Sequence, residues 1–150
     1  MPTNANFHRT LHNTIRAKIN DVDFDAGTIP GHDGSAVVVL YDNDPRTQPD
    51  GGLFVRVLLV PGLTRQITMG SSRMFRHFGT IVAEIHQRIN TGTAASLDVA
   101  DTLASAFRGS TVSGITYQSP EVLLLGREDE GQFFRVSVRV PYYSDEQESA

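Results

Sequence analysis

The chain has 150 residues, of which 39% are hydrophobic, a formal net charge of −4 and no cysteine. This length is typical of one domain that can bury a single core. The absence of cysteine excludes disulfides, cysteine nucleophiles and thiolate metal sites. With no apolar run long enough for a bilayer, no secretory signal pattern and no block of consecutive Lys or Arg, the sequence is typical of a soluble, cytosolic protein rather than a membrane protein or a duplex-DNA binder.

The N-terminal third predicts one helix followed by one strand. Four apolar residues recur at four-residue intervals and predict a helix from about Phe7 to about Asn20. They are Phe7, Leu11, Ile15 and Ile19. After a loop rich in Asp, Gly and Pro, the apolar run Ala36–Tyr41 predicts a strand that is buried on both faces. Residues 42–52 contain two prolines and two glycines and predict a surface connection.

Two long strands joined by a loop are predicted in the middle of the chain. Between Leu53 and Val60 the apolar set Leu53, Val55, Val57 and Leu59 alternates with Phe54, Arg56, Leu58 and Val60, which indicates a strand with one apolar face. The segment Met74–Ile89 is predicted to extend again, with two alternating sets of residues after Gly79, although its isoleucines are also four residues apart, as on a helix. We favour a strand because Gly79 interrupts the segment and the three β-branched residues 80–82 follow it. The segment between the strands, Pro61–Ser72, is predicted to be a polar loop.

The last third predicts a second helix and then a β-meander. The helix is expected over Ala95–Phe107, with Gly109 just past its end as a C-cap. Its expected apolar face consists of Val99, Ala100, Leu103, Ala104 and Phe107. Strands are expected at 112–117, 121–125 and 132–142, with a turn at 127–131. Residues 144–150 carry three acids and no apolar pattern. We therefore expect a single domain over 1–143 and a flexible, solvated acidic tail over 144–150.

No group of residues matches a known catalytic or metal-binding arrangement. His8 and His12 are one helical turn apart, as zinc ligands can be, but the HExxH glutamate and a marked third ligand are missing. Asp42–Asp44 lacks the alternating spacing of a calcium loop. The serines Ser71–Ser72 and Ser113 lie outside any G-x-S-x-G elbow, and the glycines form neither a P-loop nor a dinucleotide fingerprint. The sequence therefore predicts no catalytic residues, no cofactor and no metal site.

Exposed arginines and loop aliphatic residues suggest a contact surface instead. Arginine is enriched in protein interfaces, where its planar fork pairs with carboxylates, although solvated sheet faces would explain the same residues. Apolar side chains in a long loop are unfavourable unless a partner covers them. The candidate interface residues are Arg56, Leu63, Arg65, Ile67, Met69, Arg73, Arg76, Arg135 and Arg139. The last two share one face of the final strand, because alternate residues of a strand point to the same side.

Four segments, taken in chain order, resemble the tail terminator proteins of long-tailed bacteriophages. They are Val37–Asn43, Phe54–Val57, Arg76–Val82 and Leu97–Phe107. The second is similar to a W-V-R-x strand, the third to an R-x-x-G-x-hydrophobic strand start, and the fourth to an A-D-x-hydrophobic-A-x-x-F helix. The resemblance spans about Arg9 to Tyr142. The chain departs from the pattern at Phe54, where many relatives carry tryptophan, and at the short turn Thr91–Thr93.

The resemblance implies an α+β fold in two layers, with a mixed, mainly antiparallel sheet and two helices packed on it. It also implies that six copies form a ring at the head-proximal end of the virion tail, which caps the tail tube and stops its polymerisation. The implied partners are other copies of the chain, the tail tube protein and a head–tail connector or neck protein. DNA would pass through the lumen without specific binding, and an acidic chain fits that passage.

Two alternatives remain open at this stage. The chain could be a different neck or head–tail completion protein, which ring symmetry and the choice of partner would distinguish. It could also be a small enzyme or ligand-binding domain, which would have a deep pocket with convergent polar groups. Under the favoured hypothesis, the protein is made in the host cytoplasm and its loop 61–73 docks onto the last ring of the tail tube.

Overall fold

A computed structural model describes residues 7–24, 37–41, 53–70, 72–88, 93–112, 114–127 and 133–149. These ranges contain two helices and seven strands. In chain order they are α1 (Phe7–Asn20), β1 (Val38–Tyr41), β2 (Phe54–Gln66), β3 (Ser72–Arg88), α2 (Ala94–Phe107), β4 (Thr111–Val112), β5 (Ile115–Tyr117), β6 (Glu121–Arg127) and β7 (Phe133–Ser149).

The strands form one mixed sheet in the order β1-β2-β3-β7-β5-β4, and β6 also pairs with β7. Strands β1 and β2 run parallel, whereas the other described pairs are antiparallel. Strand β7 lies at the centre, because β3 follows one of its edges while β6 and β5 share the other. The observed α+β fold, with two helices on a mixed sheet, confirms the predicted fold class.

The core lies between the two helices and one face of the sheet. Helix α1 buries Leu11, Ile15 and Ile19, and helix α2 buries a face that includes Val99 and Phe107. The sheet contributes alternate residues of its central strands, which are Val55, Val57, Ile81, Ala83, Ile85, Val136, Val138, Val140 and Tyr142. Full burial of each large aliphatic side chain contributes roughly 1.5–3 kcal/mol, so this layer supplies most of the driving force for folding. The predicted helix stripes and the choice of a strand for β3 are both confirmed.

The predicted loop Pro61–Ser72 is wrong, because strand pairing continues far beyond the core. Strand β2 runs to Gln66 and β3 begins at Ser72, so only residues 67–70 of the predicted loop are described outside the strands. Pro61 and Gly62 are turn signals in the sequence, but here a register shift between Pro61 and Thr64 absorbs them as a bulge. Past the bulge, residues 64–66 pair with residues 75–77.

The predicted solvated tail is also wrong for residues 144–149, which are paired with β3. Residues 144–149 of β7 lie opposite residues 72–77. The segment has no apolar pattern because charged side chains take the place of apolar packing: Asp145 pairs with Arg76 and Glu146 with His77. We call this extension of the sheet the arm; it consists of 61–66, the loop 67–70, 72–79 and 142–149.

Three smaller differences concern strand ends and edges. Strand β1 lies at one end of the sheet order. Of its residues, Leu40 is buried while Val38, Val39 and Tyr41 are half-buried, so the expected burial on both faces is wrong. The strand expected at 112–117 is a short hairpin of β4 and β5, with Gly114 in the left-handed conformation (φ 80°). The expected turn at 127–131 begins inside β6, and its residues 128–131 lie outside the described ranges.

A close approach between Gly79 and Tyr142 generates the first prediction. The two residues face each other across β3 and β7, and a β-carbon at position 79 would overlap the phenol ring of Tyr142, whose side chain is fully buried. Gly79→Ala should therefore lower the free energy of unfolding by about 1–3 kcal/mol, measured by chemical denaturation. The same substitution should cost clearly less with Tyr142→Val, because the ring is then gone. Equal costs in the two backgrounds would contradict this contact.

The ion pair of the arm generates a prediction about pH. The Arg76 side chain donates hydrogen bonds of 2.8 and 3.0 Å to Asp145, and these lower the pKa of that carboxyl below its usual 3.8. A lowered pKa stabilises the folded state only while the group is ionised, so the contribution is complete above pH 3.8 and is lost as the pH falls through the lowered value.

Asp145→Asn should therefore lower the melting temperature near neutral pH, and its difference from the wild type should shrink as the pH falls below about 4. Thermal melts across this range test the expectation. Asp101→Asn, at an exposed carboxylate of α2, is the control and should track the wild type at every pH. A difference between Asp145→Asn and wild type that is independent of pH would show that the pair contributes nothing through its charge.

Candidate assembly surfaces

The tip of the arm is held by hydrogen bonds, yet it exposes apolar side chains. The backbone N–H of Ile67 donates to the carbonyl of Met74 at 2.8 Å, and the backbone N–H of Met74 donates to Thr68 Oγ1 at 2.8 Å. Despite this order, Leu63 is 59% exposed, Ile67 41% and Met69 94%. Fixed apolar side chains in solvent are characteristic of a surface that a partner covers.

The charged residues of the arm mostly interact with one another. Arg76 pairs with Asp145 and also lies over the ring of Tyr143, at 4.3 Å from its centroid. The imidazole of His77 lies between Thr64 Oγ1 and Glu146 Oε1, 3.0 Å from each. These contacts fasten the end of β7 to β3, so Arg76, a predicted interface residue, has a partner within its own chain.

The other two arginines predicted around the loop differ in exposure. Arg65 is exposed on the outermost part of β2, whereas Arg73 is half-buried in β3. Arg65 lies opposite Arg76 in the strand register. Arg76 pairs with Asp145, whereas Arg65 places an exposed guanidinium beside the apolar tip. Of the three, Arg65 is the best placed to contact another molecule.

The helix-free face of the sheet carries the remaining arginines. Arg56 and Arg139 are exposed there, whereas Arg135 is half-buried, with its Nε atom shielded from solvent. The register places Arg135 and Arg139 on one face of β7, as the sequence predicts. This face also exposes Leu58 and Val60, each 41%.

Part of that face is closed by an aromatic cluster. The rings of Phe54 and His86 are stacked at 4.6 Å, and Phe133 meets Phe54 edge to face at 5.4 Å. All three side chains are buried, together with Leu40 of β1. His86 is therefore part of a packed layer, which is not the accessible position that a general base needs.

Strand β6 forms a second exposed apolar surface, which the sequence analysis did not identify. Val122 is 38% exposed, Leu124 63% and Leu125 37%, and Glu121 at the strand start is also exposed. We call these four residues the β6 surface. A continuous apolar run is typical of a buried strand, so the sequence pattern gives no sign that these side chains are exposed. An apolar strand at the edge of a sheet is prone to aggregation unless another molecule covers it.

The described histidines and clefts do not combine into a recognisable catalytic arrangement. His8 is exposed, and its ring lies 5.2 Å from that of His77. Burial, followed by the nearby charges of His8 and Arg16, lowers the pKa of His12. Within the described part of the chain, no three His, Asp or Glu side chains are grouped to hold a metal ion.

Two open clefts of about 300 and about 390 Å³ flank α1, and neither lining includes a histidine that could activate a hydroxyl. The residues Asp42–Asp44, Ser71 and Ser113, weighed above as candidates, lie outside the described ranges. Neither of the two described helices is long and apolar enough to cross a membrane.

Comparison with known proteins agrees with the fold and with the sequence resemblance. One solved structure without a functional name superposes with a TM-score of 0.59 at 20% sequence identity, covering 89% of this chain and 94% of the other, and an identity this low supports the fold alone. No curated protein matches the chain. A family profile described as phage tail terminator protein matches residues 10–142, which include α2, most of α1 and all but the last part of the sheet. The chain therefore belongs to the phage tail terminator family, whose members are structural proteins of the phage tail.

Proposed function

We propose that six copies of this chain form a ring on the head-proximal end of the tail tube. The ring stops the addition of further tube subunits, and its opposite side binds the head–tail connector. Membership of the tail terminator family is the observation that carries this proposal. The exposed apolar arm tip and β6 surface support it, because a chain with two such surfaces is suited to assembly.

Ring closure explains how such a protein can end a polymer. When two different surfaces of identical chains meet, each added copy is rotated by the same angle, and the assembly closes if the rotation completes a circle. A closed ring has no unsatisfied subunit contact in its plane. Further tube subunits could then add only to the upper face of the ring, and this face differs from the surface that a tube subunit offers.

The charge distribution is compatible with a ring through which DNA passes. The chain has a net charge of −4. On the helix-free face, Arg56 lies beside Glu84 and Arg139 beside Glu121 in the strand register. Because basic and acidic side chains alternate there, this face lacks the uninterrupted basic stripe with which proteins hold the phosphate backbone.

Electron micrographs of purified phage particles, with this chain carrying a small electron-dense label, test the proposed location. The label should lie at the junction of head and tail, and averaged images should have six-fold symmetry. A label at the distal tip of the tail or along the tube would contradict the proposal. A different ring symmetry, with contacts to the head side alone, would indicate another neck protein instead.

Removal of the tip of the arm should impair tail assembly and leave folding intact. Deletion of Gln66–Gly70 leaves the pairing of Arg65 with Arg76 in place, so the monomer should fold, while tails become abnormally long or fail to join heads. The double variant Ile67→Ser with Met69→Ser keeps the loop length and should have a similar, weaker effect. Circular dichroism measures folding, and electron microscopy measures tail length. Normal tails and full infectivity in both variants would show that the tip is not a contact.

The two arginines of β7 should differ in whether they affect assembly or stability. Arg139→Ala changes an exposed side chain and should alter the free energy of unfolding by only a few tenths of a kcal/mol. If Arg139 meets a carboxylate of a neighbour, its loss should weaken incorporation into tails by about 2 kcal/mol, or roughly 30-fold. Arg135→Ala should instead lower the melting temperature, because that side chain is half-buried.

Competition between wild-type and variant chains for a limited number of tails, at moderate salt, measures incorporation. Arg108→Ala, at the exposed end of α2, is the matched control and should be incorporated like the wild type. Equal incorporation of the Arg139→Ala chain would identify Arg139 as a solvated side chain.

A further inference from the structure

We propose that the tip of the arm of one copy docks on the β6 surface of the next copy and thereby extends the sheet across the subunit boundary. The proposal names the subunit contact of the ring, and so it rests on the proposed function. It gives each of two exposed surfaces of the described structure the same partner, which is another copy of the chain.

The two surfaces are too far apart to meet within one chain. Leu124 lies opposite Val136 of β7, whereas Gln66 is aligned through Phe75 with Glu146. These levels are ten residues apart on β7, which corresponds to about 33 Å along the strands. The arm is a paired, hydrogen-bonded part of the sheet, so it cannot fold back over that distance. A contact between the surfaces must therefore join two copies, and it is head-to-tail because the surfaces differ.

Both surfaces have an unpaired sheet edge as well as apolar side chains. Strand β1 covers only residues 54–57 of β2, so the outer edge of β2 from Leu58 to Gln66 has no strand beside it in the described structure. Strand β6 pairs with β7 along one edge, and no described strand lies along its other edge. Two such edges can pair through backbone hydrogen bonds, which is the usual mode of strand addition between chains.

Charge complementarity favours this pairing of surfaces. Residues 61–70 at the arm tip contain one charged side chain, the exposed Arg65, and no acid. Glu121 of the β6 surface lies opposite Arg139, so the acidic character comes from the adjacent helix α2, which exposes Asp98 and Asp101 and contains no basic residue. The exposed guanidinium of Arg65 can therefore pair with a carboxylate of α2 on the neighbouring copy when the apolar tip covers the β6 surface.

Complementarity also explains why the occupant is a second copy rather than the tail tube. The β6 surface is apolar, lies beside the acidic side chains of α2 and has a free strand edge in the described structure. A head-to-tail repeat brings this surface to the arm tip of each neighbouring copy. An uncovered β6 surface would leave an apolar strand edge in solution, where such edges aggregate. Covering it with the arm of a neighbour removes both exposed surfaces with a single contact.

Disulfide trapping tests the contact directly, because the chain contains no cysteine of its own. The double variant Met69→Cys with Leu124→Cys places one thiol on each surface, at side chains that are exposed and therefore tolerant of change. A disulfide requires α-carbons within about 7 Å, so the two thiols cannot join within one chain. In oxidised, assembled tails we expect a ladder of covalently linked copies up to the closed ring.

Three comparisons make the outcome decisive. Each single-cysteine variant should give no ladder, and the pair Asn13→Cys with Leu124→Cys should also give none, because Asn13 is exposed on α1 and belongs to neither surface. A covalent dimer from Leu124→Cys alone would indicate that two β6 surfaces meet each other, and it would overturn the proposal. Tails that contain the double variant but give no ladder would overturn it as well.

A photo-crosslinking amino acid at position 69 identifies the partner of the tip. An adduct whose mass equals two copies of this chain supports the proposal, whereas an adduct with the tail tube protein or the connector overturns it. In that case the labelled particles could still place the chain at the head–tail junction, so the proposed function would stand while this contact failed. A chain that is absent from the junction would instead refute the proposed function.

Discussion

The antiparallel pairing of β3 with β7 is the interaction on which the rest of the molecule depends. The two strands remain in register over all 17 residues of β3, from Ser72 opposite Ser149 to Arg88 opposite Phe133. This one ladder passes through two environments. Beneath the helices it is stabilised by burial of valines and isoleucines, and beyond the helices it is stabilised by backbone hydrogen bonds and by ion pairs such as Arg76 with Asp145.

The boundary between the two environments is built from features at a single level of the sheet. Gly79 lies opposite Pro61 on one side and opposite Tyr142 on the other, and the bulge in β2 begins at Pro61. The missing side chain at Gly79 admits the Tyr142 ring, which closes the end of the core. A bulge bends a strand and increases its twist, so the arm leaves the core in a direction set at this level. The part of the protein that packs and the part that projects are thus joined rigidly.

This construction places the apolar surfaces where assembly would use them. A loop of the same composition on a flexible connection could collapse onto the body of the protein and bury Leu63, Ile67 and Met69. Because the tip is the end of a three-stranded extension, Gln66 remains about 33 Å from Leu124 of the β6 surface along the strands. The fold therefore retains two separated contact surfaces, at the cost of leaving apolar area in water until a partner arrives.

Local patterns in the sequence determined the elements that carry the core. The four-residue spacing from Phe7 to Ile19 predicted α1, the apolar face of α2 predicted its burial, and β-branched residues after Gly79 correctly favoured a strand for β3. The short motifs shared with tail terminators also predicted the family. Each of these features depends on residues that are near one another in the chain, so a sequence pattern is enough to identify them.

Only the tertiary structure decided which segments pair outside the core and which side chains remain exposed. Residues 144–149 have no strand pattern, and they form a strand because β3 supplies hydrogen bonds along their edge and basic partners for their acids. In the same way, residues 122–125 have the composition of a core strand but lie at the edge of the sheet, where no described strand pairs with their outer side. Strand pairing and edge position join residues that are distant in sequence, and the alternation within one strand contains no information about its neighbours.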